Sequence, residues 1–235
     1  PCTISNYENL YNTALALRSI GIQFLRGGAF KLRTSIDSFQ GLGAEGIDIL
    51  NRVGTELNMV TVSEITSVEH LHMMANKIDI FLVGTRSMHN YPLLEALGRI
   101  SNPVILKRGM GSTIQEWLQA ADYIAQNGNQ KIILCERGIR TFEPSTRFTL
   151  DVSAIPVAHE LCPFPIFADP SHSSGDRKLI KSMSWAALAA GAEGLIIETE
   201  INPDQAICDA PQTIGIEELK EILQPIQIMN GLWRK

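Results

Sequence analysis

Cysteine is scarce in this chain. Cys2, Cys135, Cys162 and Cys208 are the only four, far apart and without a Cys-x-x-Cys pair. That disfavours a zinc ribbon or a disulfide framework and suits a reducing cytoplasm. No apolar run approaches the roughly 18 residues of a membrane span. No secretory leader is expected from the first residues. There is no cationic excess: the net charge is −5 and the pI about 5.6, which argues against a nucleic-acid or membrane-surface binder. No glycine-rich phosphate loop of the Gly-x-Gly-x-x-Gly or Gly-x-x-x-x-Gly-Lys-Ser kind follows the early strands, which argues against a Rossmann or P-loop protein.

What remains is a chain of 235 residues, 45% hydrophobic, with a mean hydropathy of +0.04. That length supports a large core in one domain, and α/β barrels commonly reach it. The dominant pattern is alternation. Pro1-Cys2-Thr3-Ile4 reads as the end of a strand whose beginning is absent. Asn6 can cap a helix through about Ile20, and Gly21 ends it. Short apolar strands follow at 22–25, 59–62, 78–83, 103–106, 131–135, 165–168 and 194–197, with helices between them at 44–57, 68–76, 91–99, 113–126, 152–160 and 178–190. A helix over 216–229 closes the chain. Apolar strands alternating with helices predict a parallel sheet buried on both faces. Seven β-then-α units and one clipped strand favour an α/β fold of the (β/α)8 TIM-barrel type, a single domain over 1–235.

Nearly every predicted strand stops at a charged residue: Arg26, Glu64, Arg86, Lys107, Glu136, Asp169, Glu198. In a barrel these ends share one face, the face that carries active sites. Arg26, Lys31, Arg33, Arg86, Lys107, Arg108 and Arg137 make that mouth cationic in a chain that is acidic overall. Uncompensated cations repel, and arginine forks match phosphate and carboxylate oxygens, so small phosphorylated substrates are expected. The stretch Ile166–Gly175 runs a strand into Asp169, which Pro170 stops. It predicts a loop with a flexible Ser-Ser-Gly end that holds His172 still.

A second group has metal-ligand chemistry. With the clipped strand counted as the first, His172 follows strand seven, Glu198 ends strand eight and Cys2 ends strand one, with Asp209 in the loop beyond Glu198. Those strands are consecutive around a closed barrel. A thiolate, an imidazole and two carboxylates suit a first-row divalent ion such as Mn, Fe, Co or Zn. Cys135 and Cys162 read as core or structural residues. Cys208 is expected near Cys2, and that pair is a candidate for oxidation after metal loss.

Taken in order, the motifs resemble the type I 3-deoxy-7-phosphoheptulonate (DAHP) synthases, a family shared with the 3-deoxy-octulosonate 8-phosphate synthases. They are Pro1-Cys2, Leu25-Arg26-Gly27-Gly28, Lys31-Leu32-Arg33-Thr34-Ser35, Ser38-Phe39-Gln40-Gly41, Gly84-Thr85-Arg86, Leu106-Lys107-Arg108-Gly109, Ile133 to Gly138, Asp169-Pro170-Ser171-His172-Ser173, and Glu198 with Asp209. They span essentially the whole chain. Arg33-Thr34-Ser35 without a preceding Ala-Asn, and the run Cys135 to Glu143, look like the heptulonate branch.

The resemblance implies condensation of phosphoenolpyruvate (PEP) with erythrose 4-phosphate, the first step of the shikimate route to aromatic amino acids. It implies Arg26 and Lys107 at the PEP carboxylate, Arg86 and Arg137 at its phosphate, and Arg33 and Thr34 at the aldose phosphate. It makes Lys31, Cys2 and His172 the catalytic group, with Lys31 beside the reacting atoms. Cys2, His172, Glu198 and Asp209 become the metal ligands. A metal there can act as a Lewis acid, and Lys31, with a lowered pKa, can shuttle protons. The family also implies a cytoplasmic homo-oligomer, dimer or tetramer. Two departures stand out: Leu32 replaces a Pro, and Glu200-Ile201-Asn202-Pro203 replaces a His-Pro stretch. No stretch reads as a regulatory domain or a fused mutase, so feedback through an appended domain is not expected. Two other readings compete. One is octulosonate 8-phosphate or related 3-deoxy sugar acid synthesis, decided by loop 29–43. The other is a non-catalytic phosphometabolite-binding or scaffold paralogue.

Overall fold

The Asn6 side chain accepts the Asn9 N–H at 2.8 Å, satisfying a donor that a helix start leaves over. Helix α1 (Tyr7–Ser19) follows and buries Leu10, Ala14 and Leu17, one helical stripe. The computed structural model describes residues 1–32 and 37–225. After α1 come β1 (Phe24–Arg26), α2 (Ala44–Leu57), β2 (Val60–Ile65), α3 (Glu69–Met74), β3 (Ile80–Val83) and α4 (Tyr91–Gly98). Then follow β4 (Val104–Lys107), α5 (Ile114–Gln126), β5 (Ile132–Glu136), α6 (Ala154–Leu161) and β6 (Ile166–Ala168). The remainder is α7 (Pro170–Ser174), α8 (Arg177–Ala189), β7 (Gly194–Leu195) and α9 (Ile216–Leu223). Among the described residues, no helix is long and apolar enough to cross a membrane.

The seven strands are all parallel and pair in chain order, β1 to β7. Parallel neighbours cannot be joined by a tight turn, so each pair needs a crossover, and helices supply most of them. The sheet curls as in barrel folds of alternating strands and helices.

Side chains alternate across each strand, and the two faces go to two cores. Leu25, Phe81, Val83, Leu106, Leu134 and Ile166 face the helices and join the larger core, which includes Trp117 of α5. Val62, Ile80, Leu82, Ile105, Cys135 and Ile196 form a second core on the opposite face, built from strand-region residues alone. Carried past the strand ends, this second parity leads to Arg26, Glu64, Lys107, Arg137, Asp169 and Glu198. The first parity leads to Arg108 and Glu136. This alternation sorts the charged ring described below.

Three expectations change. Ser171 to Ser174 is not a flexible loop but part of the helical turn α7. Asp169 accepts the His172 backbone N–H at 2.9 Å, Pro170 stands at the first helical position, and Gly175 ends the turn with φ +70°. Pro1 to Ile4 lies outside any strand, held instead by the Ile4 N–H on the Gly28 carbonyl at 3.1 Å. Among the described residues no pairing joins β7 to β1. The last helix is described to Leu223, and the expected extension over 226–229 lies outside the described residues.

Candidate active site and metal centre

The predicted metal group converges. Donor atoms of Cys2, His172, Glu198 and Asp209 all lie within 4.8 Å of one another. Cys2 and Glu198 are buried, and His172 and Asp209 are half-buried at the rim. His172 is held on both sides. Its Nδ1 is 2.8 Å from Asp169 Oδ2, an acceptor, so Nδ1 carries the proton. Its Nε2 then presents a lone pair to Glu198 Oε1 at 3.2 Å. Cys2 Sγ lies 3.1 Å from Asp209 Oδ2. Lone pairs facing one another at these distances are stable only around a proton or a cation. The donor set fits a first-row divalent ion, and the Asp169–His172 bond is the outer support that metal-bound histidines usually have.

The electrostatics agree. Burial lowers the His172 pKa, outweighing Asp169 and Glu198, so the ring is neutral and able to ligate. Burial pushes Glu198 up, but His172 and Arg26 overcome it and hold the carboxyl at about 2. The Cys208 contact and burial raise the Cys2 thiol well above its ordinary value. A cation among these donors reverses that, because a coordinating thiol is deprotonated. Cys208 Sγ lies 3.6 Å from Cys2 Sγ, as the sequence led us to expect. Cys135 is buried in the strand-only core.

Lys31 reaches the same cluster. Its Nζ donates to the Cys2 carbonyl at 2.9 Å and to Cys2 Sγ at 3.0 Å. Gly28 makes room for it: a Cβ there would stand 2.8 Å from the Cys2 carbonyl oxygen and 2.9 Å from Lys31 Cδ. The expected depression of the Lys31 pKa is not found. Burial does lower it, but Cys2 and Glu64 outweigh burial and Arg26, and the net direction is upward.

The cationic mouth is less uncompensated than the sequence suggested. Lys107 pairs with Asp169 at 2.5 Å, and Arg26 with Glu198 at 3.1 Å. Arg108 leaves the mouth altogether. It follows Lys107 on the helix-facing parity and is buried against Glu136 and Asp151, both at 2.9 Å. Arg137 differs. Its side chain lies over Phe148, 4.3 Å from the ring centroid, and its Nε and Nη1 are buried without a partner among the described residues. The residue is 6% exposed. A cavity of about 280 Å³ opens here, walled by Lys31, Arg86, Lys107, Arg137, Arg147 and His172. Arg26 is committed to Glu198 and the Cys2 carbonyl, on the metal side. Arg33 and Thr34 lie outside the described residues.

Three residues here escaped the sequence reading. Asp169 was noted as a strand end but not as the support of His172. Gln212 and Arg147 were passed over. A polar residue three positions after Asp209 is a faint signal, and an Arg inside an irregular segment is none.

The family model described as DAHP synthetase I matches residues 1–231. The chain belongs to the DAHP synthetase I family. A phospho-2-dehydro-3-deoxyheptonate aldolase of Thermotoga maritima is 45% identical over 227 residues, covering 97% of this chain and 67% of that protein. A crystal structure of the Thermotoga maritima DAHP synthase superposes with a TM-score of 0.92 at 44% identity, covering 99% of this chain and 67% of that one. A truncated form of that enzyme gives 0.88 at 42% identity, covering 99% and 84%. A 2-dehydro-3-deoxyphosphooctonate aldolase of Geobacter sulfurreducens is 28% identical over 250 residues, covering 99% of this chain and 91% of that protein. This chain is thus more similar to that heptonate aldolase than to that octonate aldolase.

Proposed function

We propose that this protein is a metal-dependent DAHP synthase, condensing PEP with erythrose 4-phosphate to give DAHP and phosphate. The observation that carries the reading is the adjacency of two features. Four soft and hard donors lie within 4.8 Å of one another, and beside them buried Arg137, which lines a cationic cavity, has Nε and Nη1 without a partner among the described residues. A buried donor without an acceptor costs about 1–3 kcal/mol, and more when charged, so the site is built for an anion.

In this reading Arg86 and Arg137 bind the PEP phosphate, Lys107 and Arg26 stand on its carboxylate side, and Arg33 and Thr34 take the aldose phosphate. Cys2, His172, Glu198 and Asp209 hold the ion, which when bound supplies Lewis-acid polarisation of an oxygen. Lys31 Nζ, which reaches Cys2 Sγ at 3.0 Å and lines the cavity, acts as the acid. The PEP methylene carbon bonds to the aldehyde carbon, and the aldehyde oxygen takes the Lys31 proton. Water adds at the former enol carbon, a proton leaves, and cleavage of the C–O bond to phosphate leaves the ketone. The buried pairs Lys107–Asp169 and Arg26–Glu198 fix the walls while this happens.

The reading extends to the fold. Residues 1–235 form a single catalytic barrel that closes as (β/α)8. An apolar cavity of about 430 Å³ lies inside the curled sheet, walled by Val62, Ile105, Phe167 and Ile196 with Pro1 at its edge. The protein is then a cytoplasmic homo-oligomer, dimer or tetramer, of the shikimate pathway.

The test strips the protein of metal, restores Mn(II), and offers PEP with either erythrose 4-phosphate or arabinose 5-phosphate. Metal-dependent phosphate release with the four-carbon sugar is expected. Turnover with the five-carbon sugar alone would transfer the protein to the octulosonate branch. Turnover with neither, with PEP and metal bound, would make it a non-catalytic binder.

A further inference from the structure

Each acidic member of the metal cluster shows one oxygen to the centre and has the other held away from it. Glu198 Oε1 faces His172 Nε2 and also accepts from Arg26 Nη2 at 3.1 Å, while Oε2 accepts the Gln212 side-chain N–H at 2.6 Å. Asp209 Oδ2 faces Cys2 Sγ, while Oδ1 meets the Arg147 guanidinium at 3.5 Å. The same guanidinium donates from Nη1 to Gln212 Oε1 at 2.9 Å. Arg147 and Gln212 thus form one bracket that touches both carboxylates from behind.

The chemistry of the bracket is specific. Arginine can only donate, and a carboxylate can only accept. The residue joining them must accept on one side and donate on the other, which an amide does and neither Leu nor Glu can. Gln212 is 2% exposed, so a mismatched amide could not turn to water. The backbone ties the bracket to the histidine as well. The Arg147 N–H bonds the Ser174 carbonyl at 3.0 Å and the Phe148 N–H bonds that of Ser173 at 2.8 Å, both on α7, which carries His172. Gly175 is required for this close approach. Its φ is +70°, and a Cβ there would lie 2.7 Å from Arg147 Cβ.

We infer that Arg147 and Gln212 are positioning residues for the metal centre. They hold Glu198 and Asp209 so that each offers a single oxygen, and they fix the spacing between the two. This rests on the reading of the cluster as a metal site. Outer-shell partners of this kind are typically worth about 10- to 100-fold in metal affinity.

The test measures Mn(II) dissociation constants by indicator competition, and Co(II) absorption spectra, for the whole protein and its variants. Arg147→Met and Gln212→Leu are each expected to weaken Mn(II) binding about 10- to 100-fold and to change the Co(II) ligand-field bands. Arg147→Lys, which keeps a donor, is expected to recover part of the loss. The double variant is expected to lose little more than the worse single variant, because both act through one bracket. Gln212 is buried and its variant can fail to fold. Arg147 is 39% exposed, so Arg147→Met keeps the test decisive. Mn(II) affinity within twofold of wild type and an unchanged Co(II) spectrum in Arg147→Met would overturn the inference while leaving the metal reading intact. A wild-type protein that takes up no Mn(II) would overturn both.

Discussion

Replacing Arg137 with Met should stabilise the ligand-free protein and remove its response to anions. The side chain is charged, buried, and leaves Nε and Nη1 without partners among the described residues. Burial also pushes its pKa down, which shows the same cost from the side of protonation. An unsatisfied buried polar group costs about 1–3 kcal/mol. The contact with the Phe148 ring at 4.3 Å returns roughly 0.5–2 kcal/mol. Methionine keeps most of the packing and can contact the ring through sulfur. The balance is a gain of about 1 kcal/mol for Arg137→Met, or about 2–4 °C in Tm for a chain of this size. With PEP at 100 times its Kd, wild type gains about 2.7 kcal/mol by linkage, and the variant should gain close to none. The sign of the substitution should therefore reverse between the two conditions. Urea or thermal unfolding with and without PEP measures both. A loss of 1 kcal/mol or more in the ligand-free variant would refute the reasoning, because it would mean the guanidinium is satisfied without a ligand.

Lys31→Met should lower kcat by about 10²- to 10⁴-fold while PEP still binds, if Lys31 gives the proton and the phosphate contacts lie elsewhere as proposed; full kcat with intact binding would remove Lys31 from that role. Acid should destabilise the metal-stripped protein in a defined window. Glu198 and Asp169 sit below their unfolded pKa values when folded, so their contribution is present at neutral pH and is lost on acidification; for Glu198 it is complete above about pH 4.5 and lost as pH falls toward about 2. For Glu198, the drop from 4.5 to about 2 corresponds to roughly 3 kcal/mol. A urea midpoint that stays flat between these pH values would contradict it. Peroxide should convert Cys2 and Cys208 of the stripped protein to a disulfide, two thiols and one peroxide giving one disulfide and two waters. The thiol titre should fall by two and be protected by Mn(II), whereas an unchanged titre without metal would exclude the pair.

Much was legible in the chain before any coordinates, and the reason is local. Strand and helix periodicity, the Asn6 cap and the apolar strands ending in charge are written in neighbouring residues, and the helices expected at 44–57 and 113–126 form over Ala44–Leu57 and Ile114–Gln126. Cys2, His172, Glu198 and Asp209 could be grouped because a parallel barrel brings strand ends together whatever their separation in sequence. Alternation across the strands separates Lys107 from Arg108, which the sign of the charge alone does not, and so Arg108 lies outside the mouth where charge would place it.

Local sequence was enough for the order of the seven paired strands and the helices between them, for the donor types of the candidate metal group and for the family. Tertiary structure alone decided which cations are spent on protein carboxylates and which remain for a ligand. It also raised the Lys31 pKa where proximity to cations suggested the reverse. It joined Arg147 to Gln212 across 65 residues. Partner identity, burial and net electrostatics are sums over groups distant in the chain, and only the folded arrangement performs those sums.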